Sequence, residues 1–598
     1  MNYSYRPIDP QAAYFFNQGK SSTAYEFLGP HREEGGITFT VWAPHALAVE
    51  WVGDANDWGR EVLPMAGPQY ECYTITLPPE VRGRYKYKIH TEAGAQLKAD
   101  PFAFTGELIP QTASVVLPLE DIGRDHAPYK NDSRLNIYEV HLSSWRRREY
   151  WRYPQFNELA EDLLDYVKDM GYTHVELLPI TEHPYDGSWG YQATGYFAVT
   201  SRYGSPQDFM NFVKTAHEKG IGVILDWVPG HFAKDAHGLR YFDGTATFES
   251  PDPEGAENPV WDTMAFDLSR PQVRSFLLSS AAFFARVYDI DGIRVDAVSY
   301  LIYKNFGRGE VDTKDPQNFR QEAISFLREL TEVLHQIPDF LVIAEESEDF
   351  SGITWPHGLG FDYKWDMGWM HHLLAYMALD PVHRSHHHDD LTFPLWYSFH
   401  EHYILPLSHD EVVHLKKSLL DKMHGDGSAK FQQLKLLYAY MMAHPGKKLL
   451  FMGGELGQWR EWSEERTLDW HLLEYESHRD LKEFVRSLNH CYLSHSALSG
   501  PLWAFEGFQW LLVDRREDSV VAFFRKSAGE NILCIFNFTP VHRKNYQFTL
   551  PEEGEYECIF NTSGTEPNVT IREREVTLDL GPFQGLYFLE RSQQWNEK

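Results

Sequence analysis

The chain has 598 residues, 43% of them hydrophobic and 24% charged, with a formal net charge of −31. That length exceeds one core, so about two to four domains are expected. The charge repels nucleic acid and anionic membranes and favours a neutral or cationic partner, and no apolar run is long enough to span a bilayer. The start, MNYSYRPIDPQAAYFF, lacks the basic and apolar segments of a signal peptide. Cys72, Cys491, Cys534 and Cys558 show no metal-ligand spacing, so a reduced cytoplasmic setting is expected.

Residues from about 20 to 115 read as short strands, among them GGITFTVWAP, AVEWVG, YECYTITL and GRYKYKIHT, and predict a small antiparallel sandwich. Its aromatic stock (Trp42, Trp51, Trp58, Tyr85, Tyr87) suits either a carbohydrate-binding sheet or a core. From about 133 to 490 strands alternate with helices. The strand candidates are LNIYEVHL, THVELLPI, GVILDWVP, DGIRVDAV, FLVIAEES, GFDYKW, YILPLSHD and KKLLFMGG. Amphipathic stretches such as FNELAEDLLDYVKDMG and PQDFMNFVKTAHEKG lie between them. Eight such units predict a (β/α)8 barrel of the TIM type, with its active site at the C-terminal strand ends. No Gly-rich phosphate loop follows a strand, which weighs against a doubly wound sheet. Beyond about 500, FQWLLVDRR, SVVAFFRKS, NILCIFNFTP and VTLDLGPFQGLYFLE predict a second sandwich. The expected division is 1–115, 116–500 and 501–598: a multidomain α/β chain with a central barrel between antiparallel β-sandwiches.

Asp296, Glu345 and Asp410 each sit at the polar end of a buried-type strand. Carboxylates avoid such surroundings unless paired or put to use. Three of them separated by helix-length stretches suggest one site built from several parallel strands. Cleavage of a glycosidic bond needs a carboxylate beside a carboxylic acid. Arg294 and Asp296 are two apart on one strand and share a face, where a guanidinium keeps the acid ionised and oriented. Asp226 ends the third strand, His231 follows in its loop, and His409 precedes Asp410.

DWVPGHF, GIRVDAVSY, AEES and LSHDE, in that order, resemble the four sequence regions of the α-amylase superfamily. The stretches DGSWGYQATGYFAVTSRYG and HPGKKLLFMGGELGQWREW narrow the resemblance to the 1,4-α-glucan (glycogen) branching enzymes, over nearly the whole chain. The resemblance implies Asp296 as nucleophile, Glu345 as general acid/base and Asp410 as transition-state stabiliser. Glu345 is taken over Glu346 because the family's acid follows the small residue, here Ala344. Asp226, His231, Arg294 and His409 would hydrogen-bond the sugar, Tyr191 would stack beneath it, and Trp189 would lie close by. Leu415, Lys416, Lys417 and Ser418 stand where the family carries Gly-Lys-Gly-Ser, which stiffens that loop.

The expected reaction is transfer of an α-1,4-glucan segment to a 6-hydroxyl, with retention and no cofactor, because both steps are acid–base and nucleophilic chemistry of side chains. A same-fold hydrolase and a silent glucan-binding scaffold are the rivals. Trp189, Trp365, Trp459 and Trp462 follow strand ends and are candidates for an acceptor platform. The expected partner is glycogen or amylose-like glucan, with no nucleic acid or membrane, and a monomer is favoured. No metal is expected. The His383–Asp390 run invites a metal reading, but a similar segment occurs in the family without that role.

Overall fold

The computed structural model describes residues 1–591 apart from 124, 308, 310–311, 501–504 and 565–566. The expected boundary at 500/501 therefore falls beside residues outside the described ones. Eight strands close into a barrel in chain order: Asn136–Val140, His174–Leu177, Gly222–Trp227, Gly292–Val295, Leu341–Ala344, Tyr363–Trp365, Tyr403–Leu407 and Lys447–Phe451. All eight lie inside the runs named above. The third, fourth and eighth are buried at every position. Strands covered on both faces read as apolar runs rather than alternations, so the acids at their ends stand out.

The barrel helices follow from the same local chemistry. Pro206–Glu218 starts at Ser205, whose hydroxyl accepts from Asp208 N–H while Asp208 accepts from Ser205 N–H. This capping box, with Pro at the first position, satisfies end donors that the helix itself cannot. Phe209, Met210, Phe212, Val213 and Ala216 form its buried stripe, and Gly220, at φ +74°, follows its end.

The chain divides into two compact units: residues 1–131, 141–164 and 176–362, and residues 132–140, 165–175 and 363–598. The first begins with a β-module. One sheet orders Gly29–Glu33, Gly36–Trp42, Cys72–Leu77 and Ala66–Gln69; the other joins Ala48–Gly53, Arg84–Thr91 and Gly94–Lys98, with Ser114–Val115 on Arg84–Thr91. Trp51 stacks on Tyr85 at 5.9 Å, Phe39 packs edge-on against Tyr85, and the Tyr85 and Tyr87 hydroxyls donate to buried Asp100. Trp42, Trp51, Tyr85 and Tyr87 are thus core, and only Trp58 of the five is exposed, at 40%. Rings of that size close a module too small to pack on aliphatics alone.

The second unit ends in two further sheets. Five strands run in the order Phe508–Leu512, Val520–Ser527, Glu530–Asn537, Gly585–Arg591 and Glu555–Asn561; three run as Arg543–Thr549, Glu575–Leu580 and Val569–Arg572. Val520, Ala522, Phe524, Leu533 and Ile535 meet Phe548, Leu550, Val576 and Leu578 in their shared core. Arg543–Thr549, Glu555–Asn561 and Val569–Arg572 are polar, largely half-buried or exposed strands with no apolar run to announce them.

Burial also sets the acid stability. His174, His183 and His444 are held down to about 4, about 3 and about 3 by burial, against an ordinary 6.5. The unfolded chain therefore takes up protons below pH 6.5 that the folded chain refuses. Stability is fully present above that pH and is lost as pH falls towards the folded values, by about 1.4 kcal/mol per pH unit for each histidine. We expect the Tm of His444→Gln to fall less steeply than wild type between pH 6.5 and 5. Identical slopes would exclude His444 as a contributor.

Candidate active site

The third, fourth and fifth barrel strands pair in parallel, with Asp226 opposite Arg294 and Val295 opposite Ala344. Asp296 and Glu345 are each one residue past that last pair, at the ends of neighbouring strands, which run about 4.8 Å apart. Arg294 Nη1 lies 2.7 Å from both oxygens of Asp226 and 2.9 Å from Asp296 Oδ1, and Nη2 lies 2.9 Å from Glu345 Oε2. Burial opposes the charge on Arg294, but Asp226, Glu345, Tyr191 and Asp296 together hold its pKa far above the usual range. The side chains of Arg294 and Asp226 are each 1% exposed, those of Asp296 and Glu345 12% and 16%. The inner pair is buried and the outer two acids are more exposed.

Ala297 takes a left-handed turn (φ +49°), and its N–H donates to Glu345 Oε2 at 2.8 Å. Glu346 points the other way, as strand alternation requires. It is 1% exposed and accepts from Ser299 Oγ and from the Glu348 N–H.

Tyr191 and Trp189 lie on the loop between the paired strands Thr181–Glu182 and Gly195–Val199. Arg202 anchors that loop through Glu182 and Asp186, and Tyr153 donates to Asp186 at 2.6 Å. Gly190, at φ +96°, has no room for a side chain, since a Cβ would strike the Pro179 carbonyl. The Tyr191 hydroxyl donates to Asp226 Oδ2 at 2.5 Å, joining this loop to the acid cluster. His231 is 3% exposed and held down to about 4 by burial, and its Nδ1 has no hydrogen-bond partner among the described residues. Its ring packs 4.8 Å from Trp261, which meets Tyr300 edge-on at 5.2 Å. Sequence reasoning missed Trp261 and Tyr300. Nothing in their spacing sets them apart from core aromatics.

In the second unit, His409 and Asp410 follow the seventh strand on a short 3-10 turn, with His409 Nε2 3.4 Å from Asp410 Oδ1. Glu139 of the first strand accepts from His409 through both backbone N–H (2.9 Å) and Nδ1 (2.6 Å). An acid inside the apolar run IYEV is the same kind of signal as the other three. Next along the chain, His414, Leu415 and Lys417 have φ of +56°, +67° and +68°. Two of these are the positions where the family carries glycine, so this chain holds side chains in a conformation costing about 1–3 kcal/mol each. Glu461 binds the Leu415 and Lys417 N–H groups, and Lys416 reaches Glu411 at 2.9 Å, which together fix the loop.

The four-tryptophan platform is not what the fold builds. Trp365 and Trp462 are 0% and 6% exposed and belong to the core. Trp459 is 40% exposed and meets Phe431 edge-on. Among the described residues no group of three or more His, Cys, Asp or Glu is arranged to hold a metal ion. Nor is any helix among them long and apolar enough to cross a membrane.

Family profiles match residues 27–103 (carbohydrate-binding module 48, isoamylase N-terminal domain), 160–253 (alpha amylase, catalytic domain) and 510–588 (alpha amylase, C-terminal all-beta domain). The chain is 48% identical over 575 residues to the 1,4-alpha-glucan branching enzyme GlgB of Halothermothrix orenii, covering 92% of this chain and 91% of that one. It is 48% identical over 582 residues to the GlgB of Aquifex aeolicus, covering 94% and 92%. Among solved structures, a pullulanase mutant from Paenibacillus barengoltzii complexed with maltotetraose superposes with a TM-score of 0.75 at 17% identity, over 94% of this chain and 95% of that one. At that identity the likeness shows the fold alone.

Proposed function

The chain belongs to the 1,4-α-glucan branching enzymes of the α-amylase superfamily, and on that premise we propose how its residues cleave α-1,4-glucan chains and transfer them to a 6-hydroxyl, forming α-1,6 branches in glycogen. The observation that carries the assignment is the single guanidinium of Arg294 bracketing Asp296 and Glu345 on adjacent strands. Placement at adjacent strand ends around one guanidinium suits a retaining enzyme, in which the two carboxyls stand about 5–5.5 Å apart, closer than in an inverting one.

Asp296, kept anionic by Arg294, attacks the anomeric carbon. Arg294 Nη2 and the Ala297 N–H both lie on Oε2 of Glu345, which leaves Oε1 as the oxygen that passes a proton to the departing glycosidic oxygen. The glucosyl-Asp ester forms as that bond breaks. Glu345, now a carboxylate, takes the proton of an acceptor 6-hydroxyl, whose oxygen displaces Asp296 with net retention. Asp410 is assigned the third carboxylate's part, stabilising the charge that develops on the sugar. Asp226, His231, Arg294 and His409 are assigned hydrogen bonds to the sugar, Tyr191 the stacking face, and Trp189 a place beside it. The unpartnered, neutral Nδ1 of buried His231 suits a sugar hydroxyl. The division 1–115, 116–500 and 501–598, a cytoplasmic setting and a monomeric state complete the proposal.

Amylose treated with the protein should lose its iodine colour while reducing ends stay nearly constant, and an α-1,6-specific debranching enzyme should then release new short chains. Reducing ends rising in step with the colour loss would make the protein a hydrolase.

A further inference from the structure

The first barrel strand, Asn136–Val140, is buried at all five positions, and its Glu139 is 0% exposed. A carboxylate there is expensive, and replacing a buried ion-paired group by an apolar one of similar volume is often neutral or stabilising. Stability therefore gives no reason for an acid at this position, whereas its contacts do. Oε2 accepts the His409 N–H at 2.9 Å and Oε1 lies 2.6 Å from His409 Nδ1. An ionised carboxylate can only accept, so the ring proton is on Nδ1. The opposite nitrogen, Nε2, is then aimed past the strand end, 3.4 Å from Asp410 Oδ1. Phe451 is the register partner of Glu139 on the eighth strand, and its ring lies 6.0 Å from that of His409. One strand thus sets the tautomer, while a ring from its neighbour packs beside the imidazole.

We propose that Glu139 is a positioning residue that sets the tautomer and aim of His409, and through it the group beside Asp410 that meets the sugar. The inference rests on the reading of His409 as a sugar-binding side chain. Glu139→Gln disturbs this arrangement whichever way the amide turns. If the amide oxygen keeps the backbone N–H of His409, the NH2 group faces Nδ1 and drives the ring proton to Nε2. If the oxygen keeps Nδ1–H instead, the NH2 group confronts the backbone N–H. Neither arrangement reproduces the wild-type ring at little change in volume.

The test is a double-mutant cycle on kcat/KM for amylose branching, using Glu139→Gln, His409→Asn and the pair. Glu139→Gln alone should lose about 10- to 100-fold. In the His409→Asn background it should lose no more than about threefold further, because its route to the substrate is already gone. Losses that multiply in the pair would overturn the proposal, since a merely structural acid damages both backgrounds alike. Full activity in His409→Asn would instead overturn the sugar-binding reading of His409. Glu139→Asp, which keeps the charge but withdraws it by one methylene, serves the same cycle if Glu139→Gln folds poorly. Its loss should likewise vanish in the His409→Asn background.

Discussion

Asp296→Asn and Glu345→Gln should each cut branching by at least about 10⁴-fold, while leaving thermal unfolding unchanged or slightly raised. Both changes keep the side-chain volume, and both remove a step that no neighbour can supply. Asparagine cannot form the glucosyl ester, and glutamine cannot protonate the departing oxygen. The stability half follows from the crowding of Asp226, Asp296 and Glu345 around one guanidinium. Neutralising one of three acids held by one cation relieves repulsion among the others. Glu346→Gln is the control, because Glu346 bonds Ser299 and the Glu348 N–H away from Arg294. It should retain most activity. A dead Glu346→Gln beside an active Glu345→Gln would reverse the assignment of the two glutamates.

The second large effect is expected at Arg294. Arg294→Met removes the cation that contacts Asp226, Asp296 and Glu345, and breaking a buried pair from one side costs about 3–5 kcal/mol. The denaturant midpoint should drop accordingly and activity should vanish. Arg294→Lys keeps the charge but not the fork. One ammonium cannot hold Asp226 and Asp296 from one nitrogen site and Glu345 from another. It should keep more of the stability than Arg294→Met yet lose at least about 100-fold in kcat, the scale of a catalytic group displaced by about 1 Å. An Arg294→Met protein that melts like wild type would refute the view that this guanidinium holds the acids in place.

The sequence by itself determined the barrel. Buried parallel strands need unbroken apolar runs, and all eight were readable for that reason, as were the capped helices between them. It also pointed to Asp296, Glu345 and Asp410, since an acid closing such a run contradicts its surroundings. What strand periodicity could state was which side chains share a face. It put Arg294 with Asp296, and the two are 2.9 Å apart.

Tertiary structure decided everything that depends on a partner distant in sequence. Trp51, Tyr85 and Tyr87 fit a sugar platform as well as a core until the sheets closed over them. Trp365 and Trp462 were buried in the same way, because a ring's exposure is set by what covers it and not by its neighbours in the chain. Leu415 and Lys417 adopt a left-handed backbone, held there by Glu461, 46 and 44 residues further on. Glu139 and His409 are 270 residues apart and share two hydrogen bonds. Local patterns record the period of a strand or helix, but a hydrogen bond across the barrel leaves no period in the sequence. Only closure of the sheet brings its two ends together.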